Sequence, residues 1–323
     1  MNPRSFSNEL QTEQIHSEIK GFFKAAGEEN CELHVSVFPR SAFGFIRTLA
    51  KSLPDDTTLR VYAVGGEGTL FDCVNGVMGL KNVELAIVPY GRTDNFVRGF
   101  GADKISRFRG LGFRQFIAPV IPIDVIRCGA NYALSSCVIG IEADAARFSM
   151  RVYRNLQKGE FLSRLIGIHF NTLFHFLGRV SARMDKKRLN QQYSISIDGK
   201  PYNGVYQNIV VLNGKYYGNG LVPLESTMPN DGLLDVFLEK SRGFSRVFKV
   251  FFYNITGRSH ELPHMTIFKR GQIIHINSGE PLHISLDGEP FFDNQFTIEI
   301  LPGALQFVNT GFDEASIEGG YNK

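Results

Sequence analysis

Cysteine is scarce in this sequence, and the patterns typical of disulfide-rich and cysteine-bound metal proteins are missing. The 323 residues include four cysteines, all in apolar segments, and no CxxC pair or other metal-ligand spacing occurs. Cysteines of this kind are typical of buried free thiols in a reducing compartment. The sequence also shows no secretory signal pattern at its start. These absences predict a cytoplasmic protein without disulfides.

A long uninterrupted hydrophobic run is also missing. The most apolar stretch, residues 161–180, is interrupted by two arginines, two histidines and an asparagine, which argues against a transmembrane span. It lies in a segment, residues 143–188, that we predict to be a helical insertion. The segment could be a core or domain-capping helix, or an amphipathic basic surface that contacts lipid headgroups.

Acidic residues are few in one part of the chain. Residues 147–190 contain seven arginines and three lysines but only Glu160 and Asp185, a net charge of +8 in a chain whose total is +3. The remainder therefore carries −5. A basic segment in an otherwise acidic protein indicates an anionic partner surface. We expect peripheral contact with the inner face of a membrane, and no nucleic acid partner.

Two common phosphate-binding motifs, GxxxxGK[ST] and GxGxxG, are absent, but another glycine-rich turn is present. The stretch LRVYAVGGEGTLFDCVNGVMG (residues 59–79) predicts a buried strand over 59–64 and a helix from Thr69 to Gly79. Such a turn directs backbone N–H groups and the positive end of a helix at one point, which suits a phosphate. Taken alone, the motif equally fits a purely structural turn. The glycines of the turn are Gly65, Gly66 and Gly68.

The first 118 residues alternate between helical and strand patterns. This alternation predicts a Rossmann-like α/β nucleotide domain with a parallel sheet, which binds ligands at the carboxyl ends of its strands. Both glycine-rich loops, after Val64 and after Val88, lie at that edge. The predicted helices are 7–26 and 42–53, and the predicted strands are 31–38, 59–64 and 84–88.

From Pro119 onward the pattern is mainly that of strands joined by Asp-Gly turns, which predicts an antiparallel β-sandwich. The predicted strands are 121–127, 132–139, 193–197, 205–212, 233–238, 266–276 and 283–286. We expect domains at 1–118 and 119–302, with a C-terminal segment, 303–323, that packs back on the first domain. Exposed strand edges make a homodimer plausible.

Five segments, in order along the chain, resemble motifs of the diacylglycerol kinase-like lipid kinases, a family related to sphingosine kinases and NAD kinases. VYAVGGEGTLFDCVNGVMG resembles its GGDGT loop, and IVPYGRTDNFVRGFG resembles its second loop, P-x-G-T-x-N-D-F-x-R. PIDV resembles the acidic strand that opens the second domain. NGKYYGNGLVPLESTMPNDGLLDV resembles its glycine-rich hairpin, and SLDGEP its D-G-E motif. These last two motifs separate the lipid kinases from NAD kinases. Asn2-Pro3-x-Ser5 resembles the NPxSG turn, which implies a truncated first strand.

The resemblance implies that ATP binds between an α/β domain and a β-sandwich, and that its γ-phosphate passes to a lipid hydroxyl. Glu289 would be the general base, and Glu67 and Asp124 would order the catalytic Mg²⁺ and its waters. Asp231, with the carbonyls of Met228 and Leu233, would match a structural Mg²⁺ site. The implied nucleotide contacts are Asn2, Ser5, Ser36, Gly65, Gly66, Glu67, Gly68, Thr69 and Asp72.

The residue types suit this chemistry, although simpler roles stay open. Phosphoryl transfer requires positioning and charge neutralisation, and an alcohol nucleophile benefits from a carboxylate that accepts its proton. Carboxylates and water are the ligands that Mg²⁺ prefers. Glu289 could instead be an exposed acidic residue of a hairpin, and Asp231 could serve merely to form an Asx turn.

The sequence departs from the family pattern at three places near the nucleotide phosphates. Glu67 replaces an aspartate, and Phe71-Asp72 stands where Asn-Glu is usual. In the second loop T-x-N-D becomes Arg92-Thr93-Asp94-Asn95, in which Arg92 could anchor a phosphate because a guanidinium binds two phosphate oxygens at once. We include all four residues of this second loop among the nucleotide contacts.

The favoured interpretation is an ATP- and Mg²⁺-dependent lipid kinase that acts on diacylglycerol or a related lipid. One alternative is a catalytically impaired relative that still binds lipid or nucleotide. Another is a kinase of a soluble substrate, similar to NAD kinase. The sequence does not select the lipid.

Overall fold

The computed structural model divides into two compact units, Met1–Val125 with Pro302–Lys323, and Ile126–Leu301. The domain limits expected from the sequence, 1–118 and 119–302, stay a prediction. Residues 9–11 and 149–156 are described by their backbone alone. The described residues are 1–3, 9–28, 30–91, 93–100, 118–156, 190–218, 220–240, 249–250, 252–254, 256–262 and 264–309.

The first unit has the parallel α/β order that the sequence predicts. β1 and β2 pair in parallel from Leu59 opposite Val83 to Gly65 opposite Pro89, and the end of β12 adds Phe307 beside Leu85. Leu85 and Phe307 are fully buried, so the core lies along this sheet. The elements are α1 Glu9–Ala25, α2 Ser41–Ser52, β1 Leu59–Gly65, α3 Glu67–Val77, β2 Val83–Pro89, α4 Asn95–Arg98, the start of β3 Val120–Cys128 and the end of β12 Glu289–Val308.

The strand predicted at 31–38 is wrong, because its described residues form no regular strand. The segment is nevertheless held in place: Ser36 donates its N–H to the Met1 carbonyl at 2.8 Å, and the Met1 ammonium donates to the His34 carbonyl at 2.8 Å. Asn2 in turn donates its N–H to a carbonyl of β1. Met1 and Asn2 offer too few backbone N–H and C=O groups for the hydrogen-bond ladder of a strand. Cys31 is consequently exposed, while the other three cysteines are buried, and all four are free.

The second unit is the predicted antiparallel β-sandwich. β11 pairs with β6 through Ile274–Asn277 and with β5 through Ile284–Leu286, and its register shifts between these halves near Gly279, which has φ of +71°. A register shift of this kind bends a strand locally, so the two halves of β11 pair with different neighbours. The remaining elements are β4 Asn131–Ala133, β5 Ser136–Gly140, α5 Ile141–Leu156, β6 Gln192–Ile197, β7 Lys200–Pro201, β8 Gly204–Leu212, β9 Leu234–Lys240, a 3₁₀ turn Ser259–Glu261, β10 Thr266–Gly271 and β11 Ile273–Leu286.

Three strand predictions differ from the structure, and one long strand was not predicted. The strand expected at 283–286 is the end of β11, which begins at Ile273. The strand expected at 132–139 is two strands, because the residues between β4 and β5 donate their N–H groups to a distant carboxylate instead of a ladder. The strand expected at 266–276 breaks at Gln272, whose N–H binds the Asp198 carboxylate at 3.0 Å. The long strand β12 was missed, because its first half is mostly exposed and lacks an apolar pattern.

The helical insertion predicted over 143–188 starts within a helix, α5, that begins at Ile141, and residues 157–188 of that prediction lie outside the described residues. In the part of the chain that the structure describes, no helix combines the length and apolarity needed to cross a bilayer.

Candidate active site

The first glycine-rich turn joins β1 to α3 and starts the helix earlier than the sequence suggests. Gly66 is the N-cap, and α3 begins at Glu67 instead of Thr69. An acidic residue in the first turn interacts favourably with the positive end of the helix. The Gly65 carbonyl accepts the Tyr90 N–H at 2.8 Å, so this turn is bonded to the second loop.

The second loop approaches the first one backbone to backbone. A Cβ atom at Gly91 would lie 2.8 Å from the Gly66 Cα and 2.3 Å from Asp94 Oδ1. No other residue type therefore fits position 91 without displacing both loops. The Gly91 N–H also donates to Asp94 Oδ1 at 2.9 Å.

Glu67 bridges the two loops through both of its carboxylate oxygens. Its Oε2 accepts the Thr93 hydroxyl at 2.7 Å, and its Oε1 accepts the Asn95 N–H at 2.9 Å. Glu67 and Asn95, two positions that depart from the family pattern, thus contact each other through the Asn95 backbone N–H. The extra methylene of glutamate, compared with aspartate, provides reach to the second loop.

Asp94 stabilises its own loop. It is buried and has left-handed backbone angles, φ 42° and ψ 45°, just before α4. Its side chain accepts the Gly91 N–H, and its carbonyl accepts the Arg98 N–H at 2.9 Å. Arg92 and Ser5, two of the predicted nucleotide contacts, lie outside the described residues.

The other predicted contacts of the first unit have structural partners or are buried. Asp72 accepts the N–H of Arg40 at 2.8 Å, and burial raises the pKa of its carboxyl against the opposing effect of that bond. Thr69 is buried, and its hydroxyl has no hydrogen-bond partner among the described residues. Asn2 and Ser36 are half-buried, and Met1 connects them.

Asp124 lies on β3 and is almost completely buried. Its Oδ1 accepts the Gly303 N–H at 2.8 Å, where Gly303 has a positive φ of 60°. One of its oxygens therefore fixes the bend of β12 at Gly303. This hydrogen bond is sufficient to give Asp124 a structural role.

Glu289 follows a tight hairpin turn in the second unit. Asp287 and Gly288 have φ of 46° and 90°, and Leu286 pairs with Glu289 across the turn. Two consecutive positive φ angles are typical of the type I′ turn of a two-residue hairpin. Glu289 is the first residue of β12 and is half-buried.

The Asp287 carboxylate holds this turn in place. It accepts the backbone N–H groups of Leu134, Ser135 and Ser136 at 2.6, 2.9 and 2.8 Å. Asn213, in the glycine-rich hairpin motif, donates its side-chain amide to the Leu134 carbonyl at 2.8 Å. Burial raises the pKa of the Asp287 carboxyl, although the three N–H donors oppose the rise.

Asp287 and Asn213 were not among the predicted site residues. The Asp-Gly dipeptide of the DGE motif is a sequence signal for the turn itself. The three N–H donors, however, lie about 150 positions away along the chain. Only the folded structure connects the D-G-E motif to the residues that fix it.

Asp231, the predicted ligand of a structural Mg²⁺, has other partners. Its Oδ1 accepts the Leu233 N–H at 3.1 Å, and its Oδ2 pairs with the Arg270 guanidinium. Among the described residues, no group of three or more histidine, cysteine or acidic side chains is arranged to hold a metal ion. A carboxylate already neutralised by a guanidinium does not fit a divalent cation site.

A cavity of about 300 Å³ in the first unit lies away from these turns. Its lining includes Thr58 and Asn82, which directly precede β1 and β2. It is therefore at the amino ends of the strands, opposite to the edge where a parallel sheet binds ligands.

Comparison with known proteins agrees with this arrangement. Residues 1–113 match the family model described as "Diacylglycerol kinase catalytic domain", and residues 183–309 match the one described as "YegS C-terminal NAD kinase beta sandwich-like domain". A protein of Staphylococcus aureus strain Mu3 named "Putative lipid kinase" is 25% identical over 249 residues, which are 77% of this chain and 76% of that protein.

Two crystal structures from Bacillus anthracis str. Sterne have the same fold. One, described as a diacylglycerol kinase, is 20% identical with a TM-score of 0.65 and covers 97% of this chain and 95% of its own. The other, described as "a putative diacylglycerol kinase", is 22% identical with a TM-score of 0.70 and covers 97% and 94%.

The fold and the two matched domains define a kinase with an α/β catalytic domain followed by an NAD kinase-like β-sandwich. Within that class, the chain belongs to the diacylglycerol kinase-like lipid kinases, as its sequence motifs suggest.

Proposed function

We propose that this lipid kinase transfers the γ-phosphate of Mg·ATP to the single hydroxyl of diacylglycerol or a closely related lipid. The observation that carries the proposal is Glu289, a carboxylate placed at the start of β12 by a hairpin turn that Asp287 holds with three hydrogen bonds. A binding protein without turnover has no need of a base in this position. The S. aureus and B. anthracis relatives named above support a lipid acceptor.

The two glycine-rich loops of the first unit are the proposed phosphate-binding elements. The backbone N–H groups of the first loop, at the start of α3, would provide partial positive charge for a polyphosphate, and the second loop is bonded to it. Glu67 holds the loops together by accepting hydrogen bonds from Thr93 and Asn95. Bound Mg²⁺ would neutralise the phosphate charge and hold waters close to Glu67 and Asp124.

Glu289 is proposed to accept the proton of the lipid hydroxyl as phosphoryl transfer proceeds. General base catalysis of this kind contributes typically about 10²–10⁴-fold to the rate. Asp287 is a positioning residue in this scheme, since its hydrogen bonds fix the turn but it touches no reacting atom.

We also propose that the basic segment 147–190 brings the enzyme to the anionic inner surface of a membrane. Its first residue, Arg147, lies 5.4 Å from the ring centre of Phe292, which is 60% exposed, and the neighbouring Phe148 is 37% exposed. Cationic and aromatic side chains together favour the interface of an anionic bilayer.

The test is transfer of labelled γ-phosphate from Mg·ATP to a panel of lipids in mixed micelles, with NAD as a soluble acceptor. The panel contains diacylglycerol, a sphingoid base, a glycolipid precursor and a polyprenol. We expect labelled product with diacylglycerol or a near relative, and none with NAD. Labelled NAD would contradict the lipid acceptor. A protein that binds ATP but labels no acceptor would contradict catalysis.

A further inference from the structure

The loop PNDGLLDV carries two acidic residues that share one cation from a neighbouring strand. Asp231 forms an Asx turn, in which its Oδ1 accepts the Leu233 N–H at 3.1 Å, and Gly232 has a positive φ of 71°. Asp235 lies four residues further on, in β9, and is only 1% exposed. A carboxylate buried to this extent requires a charged partner.

Arg270 is that partner for both residues. It stands directly opposite Asp235 in the antiparallel pairing of β9 with β10, and its Nε donates to Asp235 Oδ1 at 2.8 Å. Its Nη2 pairs with Asp231 Oδ2. The guanidinium therefore satisfies one oxygen of each carboxylate, and a backbone N–H occupies the other oxygen of Asp231.

The arrangement keeps the guanidinium charged. Burial lowers the pKa of Arg270, but the charges of Asp235 and Asp231 outweigh this effect and raise it overall. Burial raises the pKa of Asp235, and Thr227 and Arg270 oppose that rise.

We propose that Arg270 takes the place of a structural divalent cation in the β-sandwich, so that this unit folds without Mg²⁺. Magnesium needs oxygen ligands in near-octahedral geometry at about 2.0–2.1 Å and loses its waters reluctantly. The guanidinium cancels one of the two carboxylate charges and binds one oxygen of each, so a divalent cation at this place would have to displace Arg270 to gain both carboxylates as ligands. The proposal is independent of the kinase reaction, because it concerns stability alone.

The test is thermal unfolding of the full chain, without nucleotide or lipid, in EDTA and in excess MgCl₂. We expect the same transition temperature for the natural protein in both solutions. Arg270→Ala leaves Asp235 buried without its cation, so we expect its transition in EDTA to be lower by roughly 5 °C or more. Mg²⁺ or Ca²⁺ should restore part of that loss, because the vacated carboxylates can now bind a metal.

Two further variants make the outcome decisive. Arg258→Ala removes an exposed ion pair with Glu261, and it should change the transition by only about 2 °C or less in either solution. Arg270→Lys retains the charge and serves as the test if the alanine variant does not fold. It should melt at a lower temperature than the natural protein, and its transition temperature should not depend on Mg²⁺. A natural protein stabilised by Mg²⁺, with the effect lost in Asp231→Asn, would overturn the proposal. So would an Arg270→Ala variant as stable in EDTA as the natural protein.

Discussion

The two acidic turns of this protein, GGEGT in the first unit and DGE in the second, use their carboxylates differently. In the first, Glu67 differs from the family residue, and its two oxygens accept hydrogen bonds from Thr93 and Asn95 of the second loop. In the second, the family residues are kept, and Asp287 holds the turn while Glu289 starts the following strand.

This difference shows that an acidic residue of a family motif can hold the backbone in place and need not take part in the reaction. In each turn, hydrogen bonds from backbone N–H groups identify a supporting carboxylate. Glu67 is an example, because it differs from the family residue and accepts hydrogen bonds from the second loop, in which Asn95 also differs. Glu289 is proposed to react, and it is unchanged.

The largest expected effect is that of Glu289→Gln on phosphoryl transfer. Loss of the base should lower the transfer rate by about 10²–10⁴-fold, while ATP affinity and thermal stability stay close to those of the natural protein. Steady-state transfer to the preferred lipid measures the change. Glu280→Gln, at an exposed position of β11, is the matched control and should retain full activity.

Asp287→Asn should have the next largest effect, on both stability and rate. Weakening three hydrogen bonds to a charged acceptor should lower the free energy of unfolding by about 1–3 kcal/mol. The resulting displacement of Glu289 should lower the transfer rate by about 10–100-fold, with ATP affinity unchanged. Denaturant unfolding and transfer kinetics measure the two parts.

The control for Asp287 is Asp198→Asn. Asp198 also has a positive φ in an Asp-Gly turn and accepts backbone N–H groups, those of Gln272 and Ile273. It should lose stability in the same way and keep the transfer rate. Equal loss of activity in both variants would show that Asp287 has no special positioning role.

Gly91→Ala should weaken nucleotide binding in the first unit. Its Cβ would lie less than 3 Å from Gly66 and Asp94, so one of the loops must shift. If overpacking of about 1–3 kcal/mol acts on the binding site, it raises the ATP dissociation constant about 5- to 100-fold. Gly44→Ala in α2, where a Cβ meets nothing within 4 Å, should leave ATP binding unchanged. Normal ATP affinity in Gly91→Ala would separate these loops from the nucleotide.

A double-mutant cycle tests the hydrogen bond between Glu67 and Thr93 that connects the two loops. Glu67→Ala and Thr93→Val, measured by ATP affinity, should show a coupling free energy of about 0.5–3 kcal/mol. The reason is that each variant removes the same hydrogen bond. A coupling close to zero would mean that this hydrogen bond between the loops does not contribute to ATP binding.

The smallest expected effect is a pH dependence of stability that comes from His34 in the first unit. Burial lowers the pKa of His34, with a further contribution from the terminal ammonium, and its ring is stacked on Phe45 at 4.5 Å. The unfolded chain, in which histidine titrates at about 6.5, therefore binds the proton first as pH falls. The free energy of unfolding should decrease below about pH 6.5. His34→Gln should reduce this slope, and an unchanged slope would contradict the assignment.

Much of the fold could be predicted from the sequence, because the parallel strands, the glycine turns and the Asp-Gly hairpins depend on neighbouring residues. The start of α3 at Glu67 and the missing strand at 31–38 depended on partners elsewhere in the chain. The site divides in the same way. Motifs located Glu289 and Glu67, whereas the partner of Glu67 is 26 positions away and that of Asp231 is 39 away.

The most direct test of the account measures ATP affinity and lipid phosphorylation side by side in Glu289→Gln and Gly91→Ala. If the first unit binds the nucleotide and Glu289 is the base, Glu289→Gln keeps the natural ATP affinity and loses transfer. Gly91→Ala then binds ATP more weakly and recovers transfer as ATP is raised. A Glu289→Gln variant that still phosphorylates lipid at the natural rate would contradict the account.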